Sequence, residues 1–203
     1  MTIIEVFADI SCPFTHFSLH RLAAARDERG VRAALRVRAW PLEWVNGKPL
    51  DPLLVEAEVD ALRAKVAPDL FANFDPTTFP RTMIPAFGLA TAAYACDDVT
   101  GEEVSLALRD ALFEHGLDIA DNDVIAKIAK PFGVEPLGPE AAASATRSDW
   151  ERGKARGVKG SPHFFVGDHD WFCPSLLIRH NSEGFDVQIA QEHMHDFYSS
   201  VLG

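Results

Sequence analysis

The hydrophobic pattern changes period twice within the first 40 residues. An apolar run over residues 3–8 predicts a buried strand. Pro13, which is favourable at the first position of a helix, and Gly30, a common stop residue, then bound a predicted helix. Residues 31–39 alternate between apolar and polar side chains, as in a half-exposed strand. The chain therefore begins strand–helix–strand, an order typical of a parallel sheet covered by helices.

Helical periodicity dominates the middle of the chain, after a loop predicted from Pro41 to Pro52. Asp121 is a candidate N-cap for one helix, and residues 141–156 predict another. The clearest apolar stripe, with spacings of three and four, consists of Val104, Ala107, Leu108, Ala111 and Leu112.

The β pattern returns near the end of the chain. His163–Val166 predicts a strand, Gly167-Asp168 a turn, and Trp171-Phe172 a second short strand. A final amphipathic helix is expected from about Asp186. Since βαβ and ββα segments flank a helical block, one α/β fold with an inserted all-helical domain explains this order better than two domains in series.

Composition and charge exclude several classes of protein. A formal net charge of −11 argues against nucleic acid or an anionic membrane as partner, because phosphates would be repelled. The apolar stretch Thr82–Cys96 is shorter than the roughly 18 residues of a spanning helix. Glu5 interrupts the apolar start, so no signal peptide is expected. Three cysteines cannot form a disulfide framework, and their odd number suits a reducing cytoplasm.

The segment Asp9-Ile-Ser-Cys12-Pro13-Phe14-Thr15 joins the first predicted strand to the first predicted helix. A helix N-terminus supplies partial positive charge and free N–H groups, which favour a thiolate. Cys12 is therefore a candidate nucleophile, with a pKa expected below that of a free thiol. The alternative is a buried, unreactive cysteine.

A second segment, Gly157-Val-Lys-Gly-Ser161-Pro162-His163-Phe-Phe-Val, places a proline directly before a predicted strand. Proline is tolerated at the start of a strand. The Ser161–Pro162 bond is a candidate for the cis isomer, and an ordinary trans proline that opens the strand is the alternative.

Together the two segments resemble the DsbA-like branch of the thioredoxin superfamily. The resemblance implies a thioredoxin-like fold over residues 1–45 and 155–203, with a helical insertion domain over residues 46–154. It also implies that Pro162 is cis beside Cys12 and that the Ser161 backbone hydrogen-bonds a thiol substrate. The catalytic residues expected are Cys12, Thr15 and Pro162, and the expected substrate-binding residues are Pro13, Phe14, Ser161, His163 and His16.

Thr15 departs from the Cys-Pro-x-Cys pattern of that family, because it stands where the second cysteine would be. A disulfide cycle within the motif is therefore not available. Kappa-class glutathione transferases and 2-hydroxychromene-2-carboxylate isomerases resemble the site with Ser-Pro-Tyr-Ser-type sequences, whose first serine binds the thiol of glutathione. Their Gly-(Gln/Ser)-Asp-Arg stretch corresponds here to residues 171–176, which lack the acidic residue. The Thr15 hydroxyl either stabilises the Cys12 thiolate or lies on an ordinary helix surface.

Two further cysteines and one basic segment have less specific roles. Cys173 is either a packed side chain or a distant resolving thiol, and Cys96 is expected in the core of a helix. Residues 152–159 carry Arg152, Lys154, Arg156 and Lys159 without an acid. They indicate a solvated helix end, or alternatively a basic approach to the site.

The histidines give two candidate neighbours of the thiol. His16 follows Cys12 by four residues and would lie on the same side of the helix, while His163 follows Pro162 directly. His193 and His195 differ by two, which is not the spacing of a zinc-binding pair on a helix. No metal site is therefore expected.

These observations favour a cytoplasmic thiol–disulfide oxidoreductase whose single active-site cysteine forms mixed disulfides that an external thiol resolves. One alternative is a glutathione-dependent transferase or isomerase for small aromatic or electrophilic compounds; the other is a non-catalytic binding module. No tightly bound cofactor is expected, and glutathione is a candidate co-substrate. The expected partners are small-molecule or protein thiols and disulfides, and a homodimer is left open. In the isomerase alternative, an apolar pocket wall is expected from Phe14, Phe17, Phe71, Phe74 and Phe79.

Overall fold

The computed structural model describes residues 2–182 and 184–203. Its strands are β1 (Thr2–Ala8), β2 (Ala33–Ala39), β3 (His163–Val166), β4 (His169–Phe172), β5 (Leu176–Asn181) and β6 (Gly184–Ile189). Its helices are α1 (Pro13–Glu28), α2 (Leu42–Val45), α3 (Pro52–Lys65), α4 (Ile84–Cys96), α5 (Asp98–Phe113), α6 (Asn122–Ala129), α7 (Pro139–Ala155) and α8 (Gln191–Leu202). Short 3-10 helices lie at Pro76–Thr78 and Lys130–Phe132.

Four strands form a sheet in the order β2-β1-β3-β4. β1 and β2 are parallel, which confirms the predicted βαβ start, and β3 is antiparallel to both β1 and β4. The alternation along β1 directs Val6 into a core shared with α1 and α8. Phe7 enters a second core with Trp40 and Phe165 on the opposite face of the sheet. α7 covers that second face, where Trp150 packs against the same cluster.

Helices α3 to α7 occupy the chain between β2 and β3, as the periodicity predicts. Asp121 caps α6 by accepting hydrogen bonds from the N–H groups of Asp123 and Val124. The short helix α2 lies within the segment predicted as a loop. None of the helices in the described part of the chain is long and apolar enough to cross a membrane. The fold is α/β with inserted helices, while the domain boundaries at residues 46 and 154 stay a prediction.

The C-terminal segment differs from the prediction. The last helix begins at Gln191 and not near Asp186, because residues 184–189 form β6. β5 and β6 make a separate antiparallel hairpin, and the apolar side chain at every second position of β6 is the signal that could have found it. Leu176 and Val187 of this hairpin are buried in the core cluster formed mainly by α3 to α6. The hairpin therefore packs on the helices instead of extending the sheet.

α7 approaches the sheet closely at Gly153. A Cβ atom at this position would lie 2.6 Å from Cζ3 of Trp40 and 3.0 Å from Cδ1 of Phe7. Both rings are buried, and a close-packed interior leaves them little room to move. The absence of a side chain at Gly153 thus allows α7 to cover this face of the sheet.

We expect Gly153→Ala to lower the free energy of unfolding by about 1 kcal/mol. Overpacking costs about 1–3 kcal/mol, which exceeds the gain of about 1 kcal/mol in helix propensity. Urea unfolding followed by circular dichroism measures the change. Ser144→Ala, at an exposed position of the same helix, is the control and should leave stability unchanged or slightly higher. A Gly153→Ala protein as stable as the wild type would contradict this packing.

Candidate active site around Cys12

Cys12 lies where β1 leads into α1, and it is the N-cap residue of that helix. Pro13 occupies the first helical position, as predicted. The Cys12 Sγ donates a hydrogen bond to the carbonyl oxygen of Ser161 at 3.3 Å. The Ser161–Pro162 peptide bond is cis. Two segments that are 149 residues apart in the chain therefore meet at the thiol, as the sequence predicts.

Thr15 belongs to this site and not to the helix surface. Its side chain is fully buried, and its hydroxyl oxygen lies 2.8 Å from the Ser161 hydroxyl oxygen. The Ser161 Oγ also accepts a hydrogen bond from the backbone N–H of Asp9 at 2.9 Å. Ser161 thus connects the end of β1, the first turn of α1 and the loop before β3.

Asp9 and Arg109 hold the loop that carries Cys12. The Asp9 carboxylate accepts hydrogen bonds from the backbone and hydroxyl of Ser11 and from the N–H of Leu42. Burial raises the pKa of Asp9, and these hydrogen bonds lower it in part. The buried Arg109 of α5 donates to the backbone oxygens of Asp9 at 2.7 Å and Ile10 at 3.2 Å. Burial lowers the pKa of Arg109 to about 10, so its guanidinium remains charged at neutral pH.

The pKa of Cys12 differs from the prediction. Burial raises it above the value of a free thiol, because the thiolate would lose its hydration. Hydrogen bonds from the side chains of Thr15 and Ser161 lower the pKa in part, and the charge of Glu58 raises it further. The expectation of a lowered pKa was wrong because desolvation outweighs the favourable groups around the sulfur.

A pocket of about 200 Å³ opens beside Cys12. Glu58 of α3 is the one acidic residue in its lining, and burial raises the pKa of Glu58 to about 7. Most of the other lining side chains are apolar. The lining consists of Cys12, Pro13, Phe14, Leu42, Leu50, Leu54, Val55, Glu58 and Ser161.

The phenylalanines expected as a pocket wall have different positions. Phe14 lines the pocket, as predicted. Phe17 and Phe71 are buried in the main core, and Phe74 stacks on Phe113 in the same core region. Phe79 is also buried in that core. These aromatic side chains stabilise the helical part of the fold, and aliphatic side chains form most of the pocket.

The other two cysteines occupy different environments. Cys173 donates its backbone N–H to the carbonyl oxygen of Pro162 at 3.0 Å, so it lies next to the cis-proline loop. Burial raises the pKa of Cys173 to about 12, and a thiolate at the nearby Cys12 also contributes to this rise. Little thiolate is therefore available for Cys173 to act as a resolving thiol. Cys96 is exposed at the end of α4, which corrects its expected place in a helix core.

The two candidate histidines make their polar contacts away from the sulfur. The Nε2 atom of His16 lies 2.7 Å from Oε1 of Glu114. His163 accepts a hydrogen bond from the backbone N–H of Lys159 at Nδ1, and its Nε2 lies 2.7 Å from Oδ1 of Asp170. These contacts hold the His16 ring against Glu114 and the His163 ring against Lys159 and Asp170. None of them is a hydrogen bond to Cys12.

The basic segment 152–159 makes ion pairs outside the site. Arg152 and Arg156 both contact the carboxylate of Glu5, and Lys159 lies 3.4 Å from Asp170. Arg152 and Lys154 also belong to the last turn of α7. Glu5 belongs to β1 and Asp170 to β4, so these ion pairs join the segment to the sheet. The structure thus agrees with the interpretation of this segment as a helix end.

Three charged residues of the site, Arg109, Glu58 and Asp9, were missed in the sequence analysis. Arg109 lies three residues before Leu112 on α5, so it shares the buried face of the predicted stripe. Glu58 lies within the buried stripe of α3 that includes Val55 and Leu62. A charged residue at a position of such a stripe was the available signal. Asp9 had no comparable signal, because polar residues commonly follow a strand.

Solved structures of several known proteins share this fold. A probable DsbA oxidoreductase from Streptomyces coelicolor has a TM-score of 0.67 at 16% identity, with 98% of this chain and 90% of that chain covered. A 2-hydroxychromene-2-carboxylate isomerase has a TM-score of 0.62 at 14% identity, with 98% and 93% covered. The cytosolic disulfide reductase DsbM from Pseudomonas aeruginosa, also solved with GSH, has a TM-score of 0.60 at 15% identity, with 98% of each chain covered.

The sequence comparisons identify the family. No curated protein matches the sequence. The family model described as a DSBA-like thioredoxin domain matches residues 3–176, which include Cys12, Thr15 and Pro162. Because this match spans most of the chain, the protein belongs to the DSBA-like thioredoxin domain family.

Proposed function

We propose that the protein is a thiol–disulfide oxidoreductase that forms a mixed disulfide at Cys12 and depends on an external thiol to resolve it. The observation that carries this proposal is the position of the Cys12 sulfur, 3.3 Å from the carbonyl oxygen that precedes the cis-proline. Thr15 supplies a hydroxyl at the position of the family's second cysteine. The site therefore supplies a thiol that can attack a disulfide, but no second cysteine at position 15 that could resolve the mixed disulfide.

The proposed reaction has two steps. In the first, the Cys12 thiolate attacks one sulfur of a disulfide, an S–S bond to Cys12 forms, and the other sulfur leaves as a thiolate. In the second, an external thiolate attacks the substrate sulfur of the mixed disulfide, and Cys12 leaves as a thiolate. The external thiol thereby becomes the new disulfide partner of the substrate sulfur. One disulfide bond is broken for each one formed, so the reaction needs no other oxidant or reductant.

The raised pKa of Cys12 affects the two steps differently. A thiol of high pKa provides less thiolate at neutral pH, which slows the first step, although each thiolate is a stronger nucleophile. The same property makes Cys12 a poorer leaving group in the second step. The mixed disulfide is thus expected to persist until an external thiol is abundant. Cys173, with its pKa raised to about 12, does not replace that thiol.

Glutathione is the external thiol and co-substrate that we propose, and a reducing cytoplasm is the proposed compartment. The GSH-bound structure of DsbM supports glutathione, since that protein shares the fold. The pocket beside Cys12 and Ser161 offers space for a small thiol or for the disulfide of a protein segment. Residues 46–154 are the proposed insertion domain, whose helix α3 supplies one wall of this pocket.

A glutathione-dependent isomerase or transferase is a second candidate, favoured by the aliphatic pocket lining. Leu42, Leu50, Leu54 and Val55 offer an apolar surface next to the thiol, which suits a small aromatic compound. In that case glutathione would bind without a covalent bond to Cys12. A non-catalytic binding module is the third alternative. It would neither form a mixed disulfide at Cys12 nor catalyse a glutathione-dependent reaction.

We expect oxidised glutathione to add one glutathione to Cys12, detectable by intact-protein mass spectrometry. Because Cys96 is exposed and would react as well, the experiment uses a Cys96→Ser background. Adding Cys12→Ser should abolish the adduct, whereas adding Cys173→Ser should retain it. Reduced glutathione should then remove the adduct.

Two results would contradict the mixed-disulfide mechanism. One is an adduct that survives in the Cys12→Ser variant, which would place the reactive sulfur elsewhere. The other is a protein that binds reduced glutathione in calorimetry but forms no adduct, which would favour the isomerase or transferase candidate.

We expect the alkylation rate of Cys12 to rise with pH to a midpoint above the free-thiol value of about 8.5. Burial disfavours the thiolate, so the pKa is raised. Thr15→Val should move the midpoint higher, because it removes a hydrogen bond that stabilises the thiolate. Glu58→Gln should move it lower, because it removes a nearby negative charge. Iodoacetamide kinetics on the Cys96→Ser background measure these midpoints.

Glu56→Gln is the matched control for Glu58→Gln, since Glu56 lies on the same helix but does not line the pocket. It should leave the midpoint of Cys12 unchanged. A wild-type midpoint at or below that of a free thiol would show that burial does not control this sulfur.

A further inference from the structure

A cluster of two histidines and one aspartate lies between α1 and α5, outside the interactions of Cys12. His16 and His20 are four residues apart on α1, so their side chains share one face of the helix. Their ring centroids are 4.5 Å apart. Asp110 of α5 faces them, and one potential ligand atom from each of the three residues lies within 4.8 Å of the others.

We propose that His16, His20 and Asp110 form a binding site for a divalent transition-metal ion, of which Zn²⁺ fits the donor set best. Imidazole nitrogen is a preferred ligand of zinc, and one carboxylate oxygen completes a common three-ligand set. The His-x-x-x-His spacing is the one that places two ligands on one helix face.

The tautomer of His16 favours this proposal. Its Nε2 lies 2.7 Å from Oε1 of Glu114, an acceptor, so Nε2 carries the proton. Nδ1 then has a free lone pair, and it has no hydrogen-bond partner within the described residues, although the side chain is fully buried. A metal ion would use the lone pair that the protein leaves unbonded.

Glu114 acts as an outer support of the proposed site. A histidine ligand commonly donates its second N–H to a carboxylate, which fixes the ring and raises its basicity. Glu114 is itself held by the backbone N–H groups of Phe71 at 2.7 Å and Ala72 at 2.9 Å. These contacts hold the Glu114 carboxylate in the position from which it orients His16.

The other two ligands give the ion access from solvent. The side chains of His20 and Asp110 are 25% and 36% exposed. His20 Nε2 lies 2.8 Å from Asp110 Oδ1 in a hydrogen bond. Binding of zinc would displace the proton of this hydrogen bond to solvent or to Nδ1 of the His20 ring. Because ligand atoms around tetrahedral zinc are about 3.4 Å apart, this pair would separate slightly and the longer separations would shorten.

The site would connect α1 to α5 with three protein ligands and a fourth position open to water or a small ligand. Because α1 carries Cys12 at its N-terminus, zinc would brace the helix that positions the thiol. The proposal does not depend on the redox function, since none of the three ligands lines the pocket at Cys12.

The test is a Zn²⁺ titration of the untagged, chelator-treated full-length protein by competition with a chromophoric chelator. We expect one zinc ion per chain. His20→Gln and Asp110→Asn should each weaken binding by at least about tenfold. Both positions are partly exposed, so these variants are expected to fold, and their thermal unfolding without zinc verifies this. His193→Gln, at an exposed position on α8, is the control and should bind as the wild type does.

A second readout separates this site from the thiols. Co²⁺ should give a visible absorption spectrum typical of nitrogen and oxygen ligands, without a thiolate charge-transfer band. This spectrum should persist in Cys12→Ser and disappear in Asp110→Asn. Zinc should also raise the melting temperature of the wild type but not of His20→Gln. The proposal would be overturned if the wild type bound no zinc, or if His20→Gln and Asp110→Asn bound zinc as tightly as the wild type. His20 and Asp110 would then be a hydrogen-bonded pair without a metal.

Discussion

The hydrogen bond between the Cys12 sulfur and the Ser161 carbonyl is the contact on which the candidate active site depends. It joins the N-terminal end of α1 to the loop before β3, which the sheet brings together because β1 pairs with both β2 and β3. Ser161 reinforces the junction through its hydroxyl, which contacts Thr15 and the backbone of Asp9. Ser161, which precedes the cis-proline, therefore contacts the thiol and also holds Thr15 and the backbone of Asp9.

Burial at this junction determines the chemistry of Cys12. A helix N-terminus in water would favour a thiolate, yet Cys12 is only 3% exposed and the pKa of its thiol is raised. In the proposed mechanism, a thiol held in this way exchanges disulfides slowly and retains a mixed disulfide longer. The ionised Arg109 stabilises the loop backbone from the buried side, while Glu58 brings a titrating carboxyl to the pocket. The site therefore combines a protected thiol with a nearby group whose charge changes around neutral pH.

Local patterns in the sequence predicted much of this architecture. The βαβ start follows from period-two alternation and helix-boundary residues, which are local properties. The cis-proline and the meeting of Cys12 with Ser161 were expected only because two short motifs resemble the DsbA-like branch. The β5–β6 hairpin and the raised pKa of Cys12 do not, since both depend on packing against helices remote in the chain. The His16–His20 spacing was readable, but its partner Asp110 comes from another helix and required the fold.

In the proposed mechanism, Thr15 occupies the place of a resolving thiol. The most direct test of this mechanism is Thr15→Cys on the Cys96→Ser background, oxidised with oxidised glutathione and analysed by intact mass. The introduced thiol should attack the mixed disulfide at Cys12 and expel glutathione, so the product should be an intramolecular disulfide that has lost two hydrogens. The parent protein should retain glutathione instead. A glutathione adduct at Cys12 that persists in Thr15→Cys as in the parent would contradict the account.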